Sequence, residues 1–282
     1  MKSLELDHEA VLSALPDRIP ESHKGNYGKL LLLCGSRGFT GAAYLAAMGA
    51  LRCGAGLVYL GVPESIYAIE AVKLHEPVVF PLPEEDGMLS KAAAELVSHR
   101  LAQMDAVLIG CGLGRSEGTF TVVKTVLEQA QCPVVLDADG INLLAEHRDL
   151  LRGRRSPTIL TPHAGEFARI GGNLGQDPMA AAKALAGELN SIILLKGNRS
   201  CITDGTTDYR NPTGNPGMAV GGSGDVLAGM ITALLGQGLA PLEAAASGAW
   251  LHGKAGDLCA RELGQMAMLP TDMLQALPRL LK

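Results

Sequence analysis

Short apolar runs recur along the chain, and most of them lead through a turn into a helix-like stretch. The runs that predict strands are residues 29–33, 57–60, 78–80, 106–110, 133–136, 158–160 and 192–195. The stretches that predict helices between them are residues 41–54, 90–101 and 117–130. Strands that alternate with helices are typical of βαβ units, which build a mostly parallel sheet. Runs that are apolar at every position fit such a sheet, because helices cover both of its faces.

The pattern changes after the last of these runs. Residues 201–203 and 208–210 flank the turn DGTT and predict a hairpin. Two helices, near residues 224–235 and 242–263, are then expected to close the chain. Because no internal repeat, low-complexity segment or linker interrupts the sequence, we expect a single domain over residues 1–282.

Composition and charge narrow the classes of function. The chain has 282 residues and a net charge of −5, and no basic tract is longer than Arg154-Arg155, which argues against a nucleic-acid partner. The six cysteines form no CxxC pair, which favours buried thiols over disulfides or a zinc site. The sequence has neither a signal-peptide pattern nor about 18 consecutive apolar residues, so we expect no membrane partner and a cytoplasmic location.

Polar or glycine-rich loops follow five of the predicted strands. They are residues 35–36, 110–114, 137–140, 161–166 and 196–200. In open α/β sheets, ligands bind beyond the carboxyl ends of the strands. The five loops are therefore predicted to form one composite cleft.

Glycines and an acid precede one apolar helix in the segment Gly221-Gly222-Ser223-Gly224-Asp225. The first amides of a helix lack partners and carry its positive dipole end, and glycines let an oxyanion approach them. The segment predicts a phosphate site, and an ordinary glycine-rich turn is the alternative. No GxxxxGK[ST] sequence occurs, and the GxxGxxG spacing that starts at Gly35 matches a dinucleotide fingerprint only weakly.

Asp225 raises an electrostatic question, because a carboxylate repels phosphate. A general base that deprotonates an acceptor hydroxyl would explain its position, and a partner for the helix dipole is the alternative. Lys196 ends an apolar strand, where a lysine can meet phosphate.

Two further loops contain candidate residues. In TPHAGE, His163 is a candidate ligand contact and Glu166 a candidate for holding a metal-bound water, whereas a structural histidine and a helix N-terminal acid are the alternatives. In LDADG, Asp137 and Asp139 are candidates for a magnesium or phosphate environment, and a turn explains them nearly as well.

The motifs GCGLGR, DADG, TPHAGE, KGNRSCI and NPGMAVGGSGDVLAGMI, in this order, resemble those of the ADP/ATP-dependent NAD(P)H-hydrate dehydratases. The resemblance extends from about Gly25 to Leu280. It implies an α/β, ribokinase-like fold with a mostly parallel central sheet covered by helices on both faces. It also implies that ADP or ATP phosphorylates the C6 hydroxyl of hydrated NADH or NADPH (the 6S epimer), and that elimination then restores NAD(P)H.

The resemblance assigns a role to each matching residue. Asp225 would be the base for the C6 hydroxyl, and Gly221, Gly222 and Gly224 would supply the amide cradle. The adenine nucleotide would contact Lys196, Gly197, Asn198, Arg199, Ser200 and Gly224. The hydrated dinucleotide would contact Ala42, Gly112, His163 and Asp225. Mg²⁺ is implied as well, held largely through phosphates and water, with Glu166 as the protein contributor.

The chain departs from the family pattern in three places: Cys111 and Ala164 stand where proline is frequent, and Ser200 stands where threonine is frequent. The family resemblance also implies a homo-oligomer, a tetramer. The helix at residues 41–54 is a candidate interface, with packing inside the subunit as the alternative. Many members carry an N-terminal epimerase domain. The residues before Gly25 are too few for one, so we expect action on one epimer unless a separate epimerase partner is present.

Two other functions remain open at this point. A kinase of a small alcohol or vitamin precursor would need the same phosphate cradle and the same base. A nucleotide-binding protein without catalysis would need the cradle alone, and Asp225 argues against it.

Overall fold

A computed structural model describes residues 4–281 of the chain. Its strands are β1 (Leu4–Glu5), β2 (Lys29–Leu33), β3 (Leu57–Pro63), β4 (Val78–Leu82), β5 (Glu84–Glu85), β6 (Met88–Leu89), β7 (Ala106–Ile109), β8 (Val134–Leu136), β9 (Thr158–Leu160), β10 (Ile192–Leu195), β11 (Cys201–Thr203) and β12 (Asp208–Arg210). Its helices are α1 (His8–Ala14), α2 (Thr40–Arg52), α3 (Glu64–Lys73), α4 (Ala93–Leu101), α5 (Glu117–Gln129), α6 (Asp139–Asn142), α7 (Asp149–Arg152), α8 (Ala164–Arg169), α9 (Pro178–Leu189), α10 (Ser223–Gly236), α11 (Pro241–Leu263) and α12 (Pro270–Leu280).

Ten of these strands form one sheet, in the order β1-β12-β11-β10-β9-β8-β7-β2-β3-β4. The pairs from β10 through β4 are all parallel. The predicted hairpin, β11 and β12, pairs antiparallel and lies beside β10. The prediction of a mostly parallel α/β sheet is therefore confirmed, and the carboxyl ends of five loop-bearing strands meet at one edge.

Alternate residues of the central strands bury into two separate cores. Leu30 and Leu32 of β2 pack with α2, α10 and α11, whereas Leu31 and Leu33 pack on the opposite face with α4 and α5. All four side chains are fully buried, and each such burial contributes about 1.5–3 kcal/mol to stability. Helices therefore cover both faces of the sheet, as the apolar runs predicted.

Helices α2 and α10 approach each other so closely that glycine is required at their contact. A Cβ placed on Gly229 would lie 2.0 Å from Ala46 O, and one on Gly49 would lie 2.5 Å from Val226 O. The small-residue helix thus packs inside the subunit, which was one of its two interpretations.

The prediction of two closing helices was wrong, because α12 follows α11. The apolar residues Met273, Leu274 and Leu277 lie on the buried side of α12, and Asp272 accepts a hydrogen bond from Leu269 N at 2.8 Å. Helix α9 was also missed, although Asp177 caps its start and Asn190 ends it in the left-handed conformation. No helix among residues 4–281 combines the length and apolarity needed to cross a membrane.

Candidate active site

The loops after β2, β7 and β8 are joined by backbone contacts. Gly35 N donates to Cys111 O at 2.8 Å, and Ser36 Oγ donates to Gly112 O at 2.8 Å. A Cβ on Gly112 would lie 2.7 Å from Ala42 Cβ, so the first turn of α2 adjoins the loop after β7. The expected dinucleotide contacts Ala42 and Gly112 are therefore neighbours at this edge of the sheet, and the composite cleft of five loops stays a prediction.

A buried ion pair joins the loops after β8 and β10. Lys196 Nζ lies 2.8 Å from Asp137 Oδ1 and 3.8 Å from Glu166 Oε2. Thr161 Oγ1 donates to the same Asp137 oxygen at 2.6 Å. Burial by itself would raise the pKa of Asp137, but Lys196 and the hydrogen bonds outweigh it and hold that pKa below its usual value. Burial by itself would lower the pKa of Lys196, but Asp137 and Glu166 outweigh it and raise that pKa, so the ion pair favours the charged form of both groups and is more than a simple turn.

Asp225 lies in the first turn of α10, close to this pair. The donor or acceptor atoms of Cys111, Asp137 and Asp225 all lie within 4.8 Å of one another. Burial, followed by the charge of Asp137, raises the pKa of Asp225 to about 7, against the opposing effects of Cys111 and Lys196. A carboxyl group that titrates near neutral pH is suited to accept a proton during a reaction.

The start of α10 has the open geometry that an anion cradle needs. Its N-cap is Gly222, with φ 94°, and no side chain caps the first turn. A Cβ on Gly224 would lie 3.3 Å from Lys196 Nζ, whereas nothing lies within 4 Å of a Cβ on Gly221. The first amides of the helix therefore face a space bordered by an ammonium group, which favours a phosphate oxygen.

His163 and Glu166 cap the start of α8 instead of projecting freely into the cleft. His163 Nδ1 accepts from Gly165 N at 2.9 Å, and Glu166 Oε2 accepts from His163 N at 2.9 Å. His163 Nε2 also lies 3.3 Å from Glu166 Oε1, so both ring nitrogens have local partners. The structural interpretation of His163 accounts for these contacts, and a ligand contact would use its exposed ring edge.

The loop after β10 is closed by hydrogen bonds between its own residues. Gly197 N donates to Ser200 Oγ at 3.3 Å, and that hydroxyl donates to Gly197 O at 3.1 Å. Asn198 is exposed in this turn, and Arg199 has φ 58°. Lys196 therefore lies in the cluster with Asp225, whereas residues 197–200 form its outer rim.

Sequence reasoning missed the roles of three buried residues. Thr161 donates to Asp137, and Cys111 Sγ lies 3.6 Å from the other oxygen of that carboxylate. His252 Nε2 lies 3.3 Å from Ser223 Oγ, and burial lowers the pKa of His252 to about 4, so it is neutral beside the cradle. The strand-end positions of Thr161 and Cys111 were an available signal, whereas His252 lies in an apolar helix and gave none.

Asp139, the second acid of LDADG, fixes the loop after β7 through a hydrogen bond. Its Oδ2 accepts from Gly114 N at 3.0 Å, and Arg115 Nε lies 3.9 Å from its Oδ1. The turn interpretation accounts for Asp139, whereas Asp137 belongs to the charged cluster.

Glu166 can serve magnesium through a water molecule. Its two oxygens already lie within 3.3 Å of His163 nitrogens, and the Lys196 ammonium occupies the cationic position beside them. A carboxylate keeps further lone pairs after such contacts. The residues present therefore fit a hydrated magnesium ion better than a directly bound one.

Comparison with known proteins identifies the family. The sequence model described as NAD(P)H-hydrate dehydratase matches residues 30–279, from β2 almost to the end of α12. This chain belongs to that family. Among its dehydratase relatives, a bifunctional NAD(P)H-hydrate repair enzyme from Moorella thermoacetica is 47% identical over 96% of this chain and 52% of its own length. An ADP-dependent (S)-NAD(P)H-hydrate dehydratase from Bacillus subtilis is 37% identical over 97% of this chain and 96% of its own length.

Solved structures of related proteins share the fold. A crystal structure of the ADP/ATP-dependent NAD(P)H-hydrate dehydratase from Bacillus subtilis, co-crystallized with ATP/Mg²⁺, has a TM-score of 0.84 and 34% identity over 97% of this chain and 96% of that one. A ribokinase-like superfamily protein from Enterococcus faecalis has a TM-score of 0.87 and 29% identity over 98% and 94% of the two chains. The predicted ribokinase-like fold is therefore confirmed. This member of the dehydratase family spans about half the length of the bifunctional relatives that it matches.

Proposed function

We propose that this chain catalyses the nucleotide-dependent dehydration of hydrated NADH and NADPH, acting on the 6S epimer and using ADP or ATP. The observation that carries the proposal is the position of Asp225. It is a carboxyl group with a pKa of about 7 in the first turn of a helix whose start is uncapped. A base and a phosphate cradle at one point are what phosphoryl transfer to a hydroxyl requires.

The reaction proceeds in two steps in this proposal. Asp225 accepts the proton of the C6 hydroxyl while that oxygen attacks the terminal phosphorus of the nucleotide, whose bond to the bridging oxygen breaks. In the second step, the C6–O bond breaks, phosphate leaves with the bonding pair, and the loss of a proton from C5 forms the C5–C6 double bond. The products are NAD(P)H, phosphate and a nucleotide shortened by one phosphate group.

The cluster around Asp225 supplies the electrostatic stabilisation. Lys196 Nζ lies next to the Gly224 position, so its charge faces the same space as the first amides of α10. Asp137 is 2.8 Å from Lys196 and fixes the ammonium there. Fixed donors aimed at developing charge lower the barrier without reorganisation during the reaction.

Magnesium in this proposal accompanies the nucleotide phosphates and neutralises part of their charge. Glu166 would hold one of its water ligands, since its oxygens already cap α8. Lys196, Gly197, Asn198, Arg199, Ser200 and Gly224 would contact the nucleotide, and Gly221 and Gly222 would complete the cradle. Ala42, Gly112 and the exposed edge of His163 would contact the dinucleotide. The proximity of Ala42 to Gly112 supports this assignment.

The remaining expectations also belong to this proposal. One domain is supported by the continuous ten-stranded sheet. A separate epimerase partner is supported by relatives of about twice the matched length that are named bifunctional repair enzymes. We also propose a cytoplasmic location and a homotetramer, which rest on the sequence and on the family resemblance alone.

The test is an assay of purified protein with hydrated NADH, Mg²⁺ and either ADP or ATP. We expect the absorbance of the reduced nicotinamide to reappear, with one phosphate released per NADH restored. A stable phosphorylated product without recovered NADH would instead indicate a kinase of a small alcohol, and failure with both nucleotides would reject the proposal.

A further inference from the structure

Cys111 occupies an unusual place for a thiol, beside the carboxylates of both Asp137 and Asp225. Its Sγ lies 3.6 Å from Asp137 Oδ2 and within 4.8 Å of a carboxylate oxygen of Asp225. The side chain is fully buried, and the backbone is fixed because Cys111 O accepts from Gly35 N at 2.8 Å. The backbone and the sulfur of Cys111 are therefore both held in place.

The two carboxylates differ in how many other donors they have. Asp137 accepts from Lys196 and Thr161 and stays ionised. Asp225 is desolvated and lies beside the charge of Asp137, and the Cys111 thiol is among the groups that favour its ionised form. When Asp225 loses its proton, a second negative charge therefore appears near the first, with the thiol close to both.

Cys111 remains a hydrogen-bond donor at neutral pH. Its hydrogen bond with Cys34 and its burial both hold the pKa of the Cys111 thiol well above its ordinary value. Cys34 is itself fully buried at the end of the neighbouring strand β2. A protonated thiol has one hydrogen to donate, and the strongest acceptors next to it are the two carboxylates.

We propose that Cys111 is a positioning residue, whose single S–H hydrogen turns from Asp137 to Asp225 when Asp225 loses its proton and orients that carboxylate toward the reacting hydroxyl. This inference rests on the proposed function, because it assigns Cys111 to the base of that reaction. Cys111 does not touch the reacting atoms itself and acts through Asp225, which does.

Other charged groups face Asp225 from the elements packed around it. They are Asp137 after β8, Lys196 at the end of β10 and Glu166 on α8. His252 of α11, which faces Ser223, has a pKa of about 4 and stays neutral across the working range. A substitution of Cys111 leaves all of these groups in place, so a shift in Asp225 titration would report on the thiol alone.

The experiment compares three variants: Cys111→Ala, Cys111→Ser and, as a matched control, Cys34→Ala. Cys34→Ala removes an equally buried thiol that interacts with Cys111. Aspartate carboxyl ¹³C resonances are followed against pH, and the Asp225 resonance is assigned by its loss in Asp225→Asn. The pH profile of kcat/KM is measured in parallel.

Removal of the Cys111 S–H donor should disfavour the ionised form of Asp225. We expect Cys111→Ala to move the Asp225 titration and the acid limb of kcat/KM upward by roughly half to one pH unit. Cys111→Ser, which keeps an O–H donor, should restore both, and Cys34→Ala should leave both unmoved. An unchanged titration in a folded Cys111→Ala protein, or an equal shift in Cys34→Ala, would overturn the inference. If the parent protein shows no turnover, the proposed function fails, while the carboxyl titration still decides whether Cys111 acts on Asp225.

Discussion

The first turns of α8 and α10 have similar sequences and different electrostatic states. Helix α8 begins Ala164-Gly165-Glu166, and α10 begins Ser223-Gly224-Asp225. At α8, the His163 ring accepts from the first amides, and Glu166 accepts a hydrogen bond from His163 N. At α10, the capping residue is Gly222, which has no side chain to do this.

The difference lies in what satisfies the backbone donors. At α8 the protein itself supplies the acceptors, so that helix start is closed and structural. At α10 Ser223 N donates to Val220 O at 3.3 Å, no side chain accepts from the first turn, and the acid in that turn interacts with Asp137 and Cys111. Lys196 lies between the two turns, 3.8 Å from Glu166 and beside Gly224. In the proposed function, the uncapped helix start beside the partly buried Lys196 is the end of the site where phosphoryl transfer takes place.

The largest expected effect distinguishes the role of Asp225 from that of Glu166. Asp225→Asn should lower kcat by about 10²–10⁴-fold, because the base that accepts the hydroxyl proton is lost. Nucleotide affinity by calorimetry should stay close to that of the parent. Glu166→Gln, which can still accept from His163 N, should lose far less. Turnover that survives in Asp225→Asn would contradict the general-base role.

The second prediction concerns the cation between the two turns. Lys196→Ala should weaken ADP binding roughly 10- to 100-fold, the range of a hydrogen bond to a charged group. It should also lower the free energy of unfolding by about 3–5 kcal/mol, because Asp137 is left buried without its partner. Calorimetric titration and urea denaturation measure the two effects.

The surface ion pair between Lys183 and Asp208 provides the control for Lys196→Ala. Lys183 Nζ lies 3.0 Å from Asp208 Oδ2 with a third of its side chain exposed, so Lys183→Ala should change stability by less than about 1 kcal/mol. ADP affinity that is unchanged in Lys196→Ala would show that the ammonium does not face the phosphates.

The third prediction compares the two glycines. Gly224→Ala adds a methyl group 3.3 Å from Lys196 Nζ, in the space proposed for phosphate, and should weaken nucleotide binding about tenfold. Gly165→Ala places its methyl group 2.9 Å from His163 Cε1, so it should disturb the cap and leave nucleotide affinity nearly unchanged. Equal losses of affinity in both variants would remove the distinction between the open and the closed helix start.

The smallest effect concerns the closed cap. His163→Ala should lower the free energy of unfolding by about 1 kcal/mol, the usual cost of losing an N-cap. His163→Asn, which keeps a capping acceptor, should recover most of that loss in thermal unfolding. If His163→Asn retains stability but raises KM for the hydrated dinucleotide, the ring edge contacts substrate as well.

Much of the fold was predictable because the sequence patterns that specify its strands and helices are local. Short apolar runs bounded by turn residues, such as residues 29–33 and 192–195, favour buried strands, and the predicted bounds of those two agree with β2 and β10. The elements that were missed had weaker or mixed patterns. Helix α12 contains Pro278 within its last turn, and β5 and β6 have only two residues each. Strand order and contact between loops required the folded chain.

The sequence by itself determined the parallel sheet, the polar loops at its carboxyl edge and the glycine-rich start of α10. These follow from hydrophobic period and backbone chemistry, which neighbouring residues specify. Only the tertiary structure decided that Asp137 pairs with Lys196, 59 residues away, that Cys111 lies beside both carboxylates, and that Asp225 titrates near pH 7. Desolvation and charge–charge interaction depend on distances between residues that are far apart in the chain, and folding alone sets those distances.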